Sequence, residues 1–242
     1  MQNGPRGQTL EEILQNHFNA VNQNKLTGIK SSEIYSDFVT YSDLNSFENK
    51  VASYKGSIHE VIIKNKGYYQ KSQMVASDKD IFNLEYGLFA GDSWVKDGNG
   101  VSNWTYGIAD SMQVKIQMDI DGPLYSWKEK GYHVSFIGIR TVNGRNPYCL
   151  KLDLRNNQIA YYYIDPVTWL VYCITFYKEY SDTIRVPTYF FYDYRRVDEI
   201  KIPFKIIEKN FLMNNIITTV RIVKNIKLNK NFDESIFKRP LK

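Results

Sequence analysis

Tyr161-Tyr162-Tyr163-Ile164-Asp165-Pro166-Val167-Thr168-Trp169-Leu170 is followed by Tyr192-Asp193-Tyr194-Arg195-Arg196-Val197-Asp198 and by Ile202-Pro203-Phe204. These runs decide the fold. Aromatic and β-branched residues, the strand formers, alternate there with turns built on Asp-Pro and Asp-Glu. The chain closes with Asn225-Ile226-Lys227-Leu228-Asn229 and Asp233-Glu234-Ser235-Ile236-Phe237-Lys238-Arg239-Pro240. Consecutive hairpins of this kind build a large curved antiparallel sheet with one face turned to a core. Function is then to be sought on the concave side.

Working outward, strands are expected near 132–140, 146–155, 158–164, 169–179, 186–197, 202–210 and 214–228. Turns fall at Asn143-Gly144, Asn156-Asn157, Asp165-Pro166, Asp198-Glu199 and Asn214-Asn215. In the first half, period two predicts strands near 33–41, 57–65, 67–75, 80–88 and 92–96, with a polar loop over 42–55 and a turn-rich loop over 97–107. Residues 1–8 read as a flexible arm and 9–242 as one domain.

Two helical stretches interrupt the strands. Thr9-Leu10-Glu11-Glu12 is a capping box, and Leu10, Ile13, Leu14, Phe18 and Val21 follow on one stripe, with His17 among them at a helix–sheet contact. Ile108, Met112, Ile116 and Ile120 predict a second helix over 108–121, stopped by Asp121-Gly122-Pro123, with a short helical turn over 124–130. Asp119 and Asp121 read as solvated charges at its end.

Composition narrows the classes. Hydrophobic residues make up 43% and charged residues 24%, and the aromatic share of 15%, led by 19 Tyr and 13 Phe, suits a β-rich body. The net charge of +5 is spread along the chain, so no nucleic-acid footprint forms. Cys149 and Cys173 lie in strands with another strand between them, and are expected as free thiols. No apolar run is long enough to span a membrane, and the first residues lack a signal peptide's apolar stretch, so an exported protein would have had its signal removed.

Chemistry is sparse. The three histidines, His17, His59 and His133, stand in no metal-ligand spacing, and there is no nucleophile elbow, phosphate-cradling loop or His-Glu-x-x-His. Neither catalysis nor a cofactor is expected. The apolar alternation says more. Tyr148, Leu150, Leu152 and Leu154 share one face, and Leu170, Tyr172, Ile174 and Phe176, Phe204 with Ile206, and Val220 with Ile222 repeat it. Two short helices are little cover for about a dozen strands. The remaining concave surface is either a greasy cavity or filled by side chains.

The order of motifs also resembles the outer-membrane lipoprotein-sorting proteins of the LolA/LolB-like superfamily, in the version common in Bacteroidetes-type bacteria. The shared features are Leu10–Leu14, Gly122-Pro123-Leu124, Lys130-Gly131 and Gly138. Further ones are the Tyr-Tyr-x-Asp-x-x-Thr-x-Leu of 162–170, the Asp193–Asp198 run, Ile202-Pro203-Phe204 and the Phe237-x-x-Pro240 ending. The departures are Asn22-Gln23 in place of Gly-Gly after the first helix, and Gly91-Asp92-Ser93-Trp94 in place of Asp-Gly-x-x-x-Trp.

The resemblance implies a mainly β fold: an unclosed antiparallel β-barrel with helices covering the concave side. It implies a periplasmic, non-enzymatic carrier for lipoprotein acyl chains or another lipid, with membrane-bound donor and acceptor proteins as partners. The expected apolar lining is Phe136, Leu150, Leu152, Leu170, Tyr172, Ile174, Phe176, Phe204, Ile206, Val220 and Ile222, with Trp94 and Trp104 at the mouth. Three rivals use the same sequence: an envelope interaction or sensor module with a filled core, a carbohydrate-binding module using Tyr161, Tyr163 and Tyr177, and a hydrolase. The last requires a polar cluster in the hollow that is not visible in the sequence.

Overall fold

The computed structural model describes residues 7–76, 79–103, 116, 118–154, 158–178, 188–212 and 215–240. Thirteen strands form one antiparallel sheet: β1 Ser31–Tyr41, β2 Tyr54–Ile63, β3 Gly67–Ala76, β4 Ile81–Phe89, β5 Asp92–Asp97, β6 Gly100–Asn103, β7 His133–Ile139, β8 Tyr148–Leu154, β9 Gln158–Ile164, β10 Val171–Lys178, β11 Thr188–Val197, β12 Ile200–Leu212 and β13 Asn215–Leu228. The helices among the described residues are α1 Leu10–Val21, α2 Gln23–Leu26, α3 Leu44–Glu48 and a 3-10 turn at Glu234–Phe237.

The spatial order is β6-β5-β4-β3-β2-β1-β13-β12-β11-β10-β9-β8-β7. Two meanders therefore run outward from a central seam, where β1 pairs with β13 in a ladder from Ser32↔Leu228 to Tyr41↔Thr218. β6 and β7 are the two ends of this order, and the sheet does not close. Right-handed twist over so many strands, with irregular register at Tyr35/Ser36, Phe136/Ile139 and Val171/Cys173, curls the sheet.

Every strand expected from the period-two pattern is present, with ends within three residues. β6 forms where a turn-rich loop was expected, and α3 lies inside the expected polar loop, capped by Asp43, whose carboxylate accepts from Ser46 N at 2.7 Å. Residues 124–130 make successive turns rather than a helix. Ile116 and Met118 are helical, while the rest of 104–117 lies outside the described residues, as do the Asn156-Asn157 turn and Asn214.

The family-like motifs turn out to be devices for bending the chain. Asp165 Oδ1 accepts from the Val167 and Thr168 amides and the Thr168 hydroxyl, letting Trp169 take φ 60° before β10 begins. Asp198 and Glu199, at φ 47° and 70°, make the tight hairpin between β11 and β12. Asn22, at φ 62°, ends α1 in the left-handed conformation, which asparagine tolerates almost as glycine does. The departure from Gly-Gly is therefore sterically mild.

Cross-strand partners share a face. The row Val61–Tyr69–Gly87–Trp94 lies on one side of the sheet, and Ile34–Glu60–Gln70–Tyr86 on the other. Both sides carry apolar clusters, so the face opposite the apolar alternation also packs against other parts of the chain. On the concave side, Ile13 and Leu14 of α1 and Leu124 pack on Leu150, Leu152, Ala160 and Tyr162. On the convex side, Trp94, Tyr69 and Val61 pack on Phe237, and Cys173, Phe190 and Tyr172 make a second group.

Candidate functional site

The concave side is half filled. Over β7–β9 it is plugged by α1 and the Leu124 turn. Between β1–β4 and β10–β13 a cavity of about 540 Å³ remains, within the usual range for small-molecule sites. Its wall is chiefly Ile34, Ile58, Ile62, Ile174, Phe176, Phe191, Ile202 and Ile206, with Ile116 reaching it from the segment that crosses the hollow.

That crossing segment is tied down by polar contacts. Lys64 Nζ lies 2.7 Å from Asp121 Oδ1, and Lys130 Nζ 2.7 Å from Asp119 Oδ2. Gln23 Nε2 donates to the Asp121 carbonyl at 2.9 Å. Asp119 and Asp121 are thus paired and largely buried rather than solvated. Burial pushes the Asp119 carboxyl up despite its hydrogen bond and attraction to Lys130. Met118 and Ile120 pack on Ile62, Tyr68 and Leu88 of the sheet.

One polar cluster is set into the greasy wall. Arg221 of β13 and Glu60 of β2 form an ion pair, with side chains only 19% and 6% exposed. Arg221 Nε donates to Ser36 Oγ at 2.9 Å, and the Tyr68 hydroxyl lies 3.1 Å from Glu60 Oε1 and 2.6 Å from Gln70 Oε1. Burial drives the Tyr68 phenol well up, and the Glu60 charge adds to it. For Arg221, burial is the largest effect and opposes the charge, but Glu60, Tyr68 and Glu208 together outweigh it and the guanidinium is pushed up. Glu208 of β12 also borders the cavity. Its Oε1 accepts from Asn210 Nδ2 at 2.7 Å and Tyr189 OH at 3.3 Å, while burial pushes the carboxyl up.

Of the residues expected to line the hollow, the structure brings Ile174, Phe176 and Ile206 to the cavity wall. Phe136, Leu150 and Leu152 are concave but belong to the plug under α1. Leu170 is buried at the Asp165 turn. Tyr172 is turned to the convex cluster by the bulge between Val171 and Cys173. Phe204 is buried under the Arg195 guanidinium, 4.7 Å from its ring centre.

Val220 and Ile222 pair with Ile207 and Lys205, while Thr219, Arg221 and Val223 of the same strand line the cavity. Apolar residues fall on both faces of β13, Val220 and Ile222 on one and Val223 and Ile226 with Arg221 on the other, so alternation gave its parity the wrong way round. Trp94 lies on the convex side against Phe237. Trp104 lies outside the described residues.

Sequence reading missed Glu60, Arg221, Tyr68 and Glu208. The available signal was a single charged residue set among concave neighbours, Glu60 between Ile58 and Ile62, Glu208 after Ile206 and Arg221 between Thr219 and Val223, but reading it requires the strand register first. Among the described residues no three His, Cys, Asp or Glu side chains are grouped to hold a metal ion. No helix of the described residues is long and apolar enough to cross a membrane.

No family model matches the sequence, and no curated protein matches it. Solved structures do match its shape. A LolA superfamily protein from Nitrosomonas europaea superposes with a TM-score of 0.63 at 12% identity, over 96% of this chain and 99% of that one. A DUF1329 family protein from Desulfovibrio piger gives 0.60 at 13% identity, over 93% and 97%. A domain described as outer membrane lipoprotein-sorting, from Vibrio parahaemolyticus, gives 0.55 at 12% identity, over 93% and 94%. The chain therefore has the fold of the LolA superfamily, an antiparallel sheet curved into an unclosed barrel with helices on its concave side.

Proposed function

We propose that this chain is a periplasmic, non-enzymatic carrier or binding protein that holds lipoprotein acyl chains or a similar apolar ligand beneath its helical cover. The observation that carries the reading is the cavity of about 540 Å³ whose wall is mainly isoleucine and phenylalanine. Each methylene moved from water into such a wall contributes about 0.8 kcal/mol, so a short alkyl chain is enough for useful affinity. Ile174, Phe176 and Ile206 are the proposed contacts. The LolA-superfamily fold supports the periplasmic setting and membrane-bound donor and acceptor partners.

Native mass spectrometry with organic extraction tests this on protein purified from a bacterial host. Fatty acyl material should co-purify, or added acyl probes should bind. Phe176→Asp and Ile206→Asp should abolish it, while Ile222→Asp on the other face should not, with circular dichroism showing the fold intact. A folded protein that neither carries nor takes up alkyl chains would sink the carrier reading and favour the interaction module.

A further inference from the structure

One carboxylate oxygen at the greasy cavity accepts no hydrogen bond from the described residues. Both donors that reach Glu208, the Asn210 amide and the Tyr189 hydroxyl, are on Oε1. Among the described residues, no donor lies within hydrogen-bond distance of Oε2, and the oxygen is not sealed in protein: the side chain is half-buried and borders the cavity. A ligand that fills the cavity displaces the solvent such an oxygen otherwise binds, and a carboxylate oxygen is then costly to leave without a donor. A ligand seated against Glu208 therefore does best with a donor of its own.

The charge of the hollow limits what those contents are. Among the described residues of the wall Arg221 is the cation, and Glu60 is already paired with it. Glu208 then adds a second acid to the same wall. An anionic head would face two carboxylates with one engaged guanidinium between them. A neutral head that donates through N–H or O–H meets no such opposition and satisfies Oε2.

Building on the carrier reading, we propose that Glu208 is the polar recognition point of the cavity. It accepts a hydrogen bond from a neutral amphiphile whose head carries an N–H or O–H donor, such as an acyl amide or an alcohol, and it selects against fatty-acid anions. Tyr189 and Asn210 act as positioning residues: by holding Oε1 they leave Oε2 aimed at the ligand. The apolar wall supplies affinity and Glu208 supplies selection.

The test is displacement of N-phenyl-1-naphthylamine fluorescence by probes of one chain length: decanol, N-methyldecanamide, 1-methoxydecane and decanoate. In a purely apolar hollow the methyl ether, being greasier, binds better than the alcohol. Wild-type protein should reverse that order, with decanol and the amide about tenfold tighter than the ether, as expected for a hydrogen bond to a buried charged group. Decanoate should be the weakest. Glu208→Leu should restore the apolar order; in Glu208→Gln the carbonyl oxygen is held by Asn210 and Tyr189 and the NH2 faces the ligand, so the preference for donors over the ether should be lost and decanoate should bind better than to wild type.

If all probes bind and Glu208→Leu leaves their order unchanged, or decanoate binds best, the inference is overturned and the carrier reading stands. If no probe displaces the dye and none is retained in native mass spectra, both fall together. Should Glu208→Leu not fold, the wild-type ranking decides alone: an ether that binds as well as the alcohol overturns the proposal.

Discussion

The indole N–H of Trp94 donates to the backbone carbonyl of Phe237 at 2.8 Å, joining residues 143 positions apart. The contact lies on the convex side, where the Trp94 ring lies over Gly87 and Phe237 stacks on Phe89 with ring centres 5.6 Å apart. It fastens the C-terminal turn to the sheet through Phe237. Phe237→Ala should cost about 3–5 kcal/mol by removing a fully buried ring. A Cβ at Gly87 would stand 2.3 Å from the indole, so Gly87→Ala should also destabilise, by about 1–3 kcal/mol through overpacking. Urea unfolding reads both, and alkyl-probe binding by the folded fraction should be unchanged, because the contact is on the far side of the sheet from the cavity.

His17 gives a pH dependence of known sign. Its Nδ1 lies 2.9 Å from the Trp169 carbonyl, and burial lowers its pKa from 6.5 against the opposite pull of that carbonyl. The unfolded chain therefore takes up a proton on this ring at a higher pH than the native state does. Stability contributed by the neutral ring is present above 6.5 and is lost as pH falls from there toward the lowered native value. Buried Asp119 and Glu208, whose carboxyls are pushed up, work in the other direction, so the comparison must be made against a variant. His17→Gln keeps a donor for the carbonyl but does not titrate. Thermal melts should show wild type losing stability relative to His17→Gln on acidification below neutrality, and parallel curves would refute the assignment.

How much of this was legible in the sequence follows from what sequence patterns encode. Turn chemistry is local, so Asp165, Thr168 and the Asp198-Glu199 hairpin marked the strand ends, and the capping box at Thr9 placed α1. Which face a strand residue takes is not local where the strand is apolar on both faces or bulged. β13 offers Val220 and Ile222 outward and Arg221 inward, and the bulge after Val171 sends Tyr172 to the convex side. The polar cluster in the hollow was invisible for a further reason: Glu60, Tyr68, Glu208 and Arg221 lie on four strands and meet only when β1 closes onto β13.

The two thiols should be inert. Burial pushes Cys149 up to about 11 and Cys173 to about 12, so the nucleophilic thiolate is scarce near neutrality. Tyr163 stands between them in one cross-strand row. Two strand spacings of roughly 4.8 Å exceed the reach of a disulfide. Native protein should leave an aromatic disulfide reagent unreacted and release its full thiol count only after unfolding. Labelling at the rate of a free thiol in native buffer would contradict this burial.

The Glu60–Arg221 pair separates stability from ligand selection. Removing one member strands the other charge in a largely apolar wall, a cost of about 3–5 kcal/mol, so Arg221→Met and Glu60→Leu should each be strongly destabilising in urea. The pair itself repays little beyond its own desolvation, so the double variant should recover most of the loss. Tyr68 keeps an acceptor in that variant, because its hydroxyl lies 2.6 Å from Gln70 Oε1, and the chief casualty is the 2.9 Å bond from Arg221 to Ser36. If the double variant is as unstable as the worse single one, the pair is a net stabiliser and the cavity is better described as built around it. If it recovers, then among the described residues of the wall Glu208 is the one charge left. Selection between donor-bearing and anionic probes should then persist without the guanidinium, because the attraction that most favours an anion is gone while the carboxylate that repels it remains.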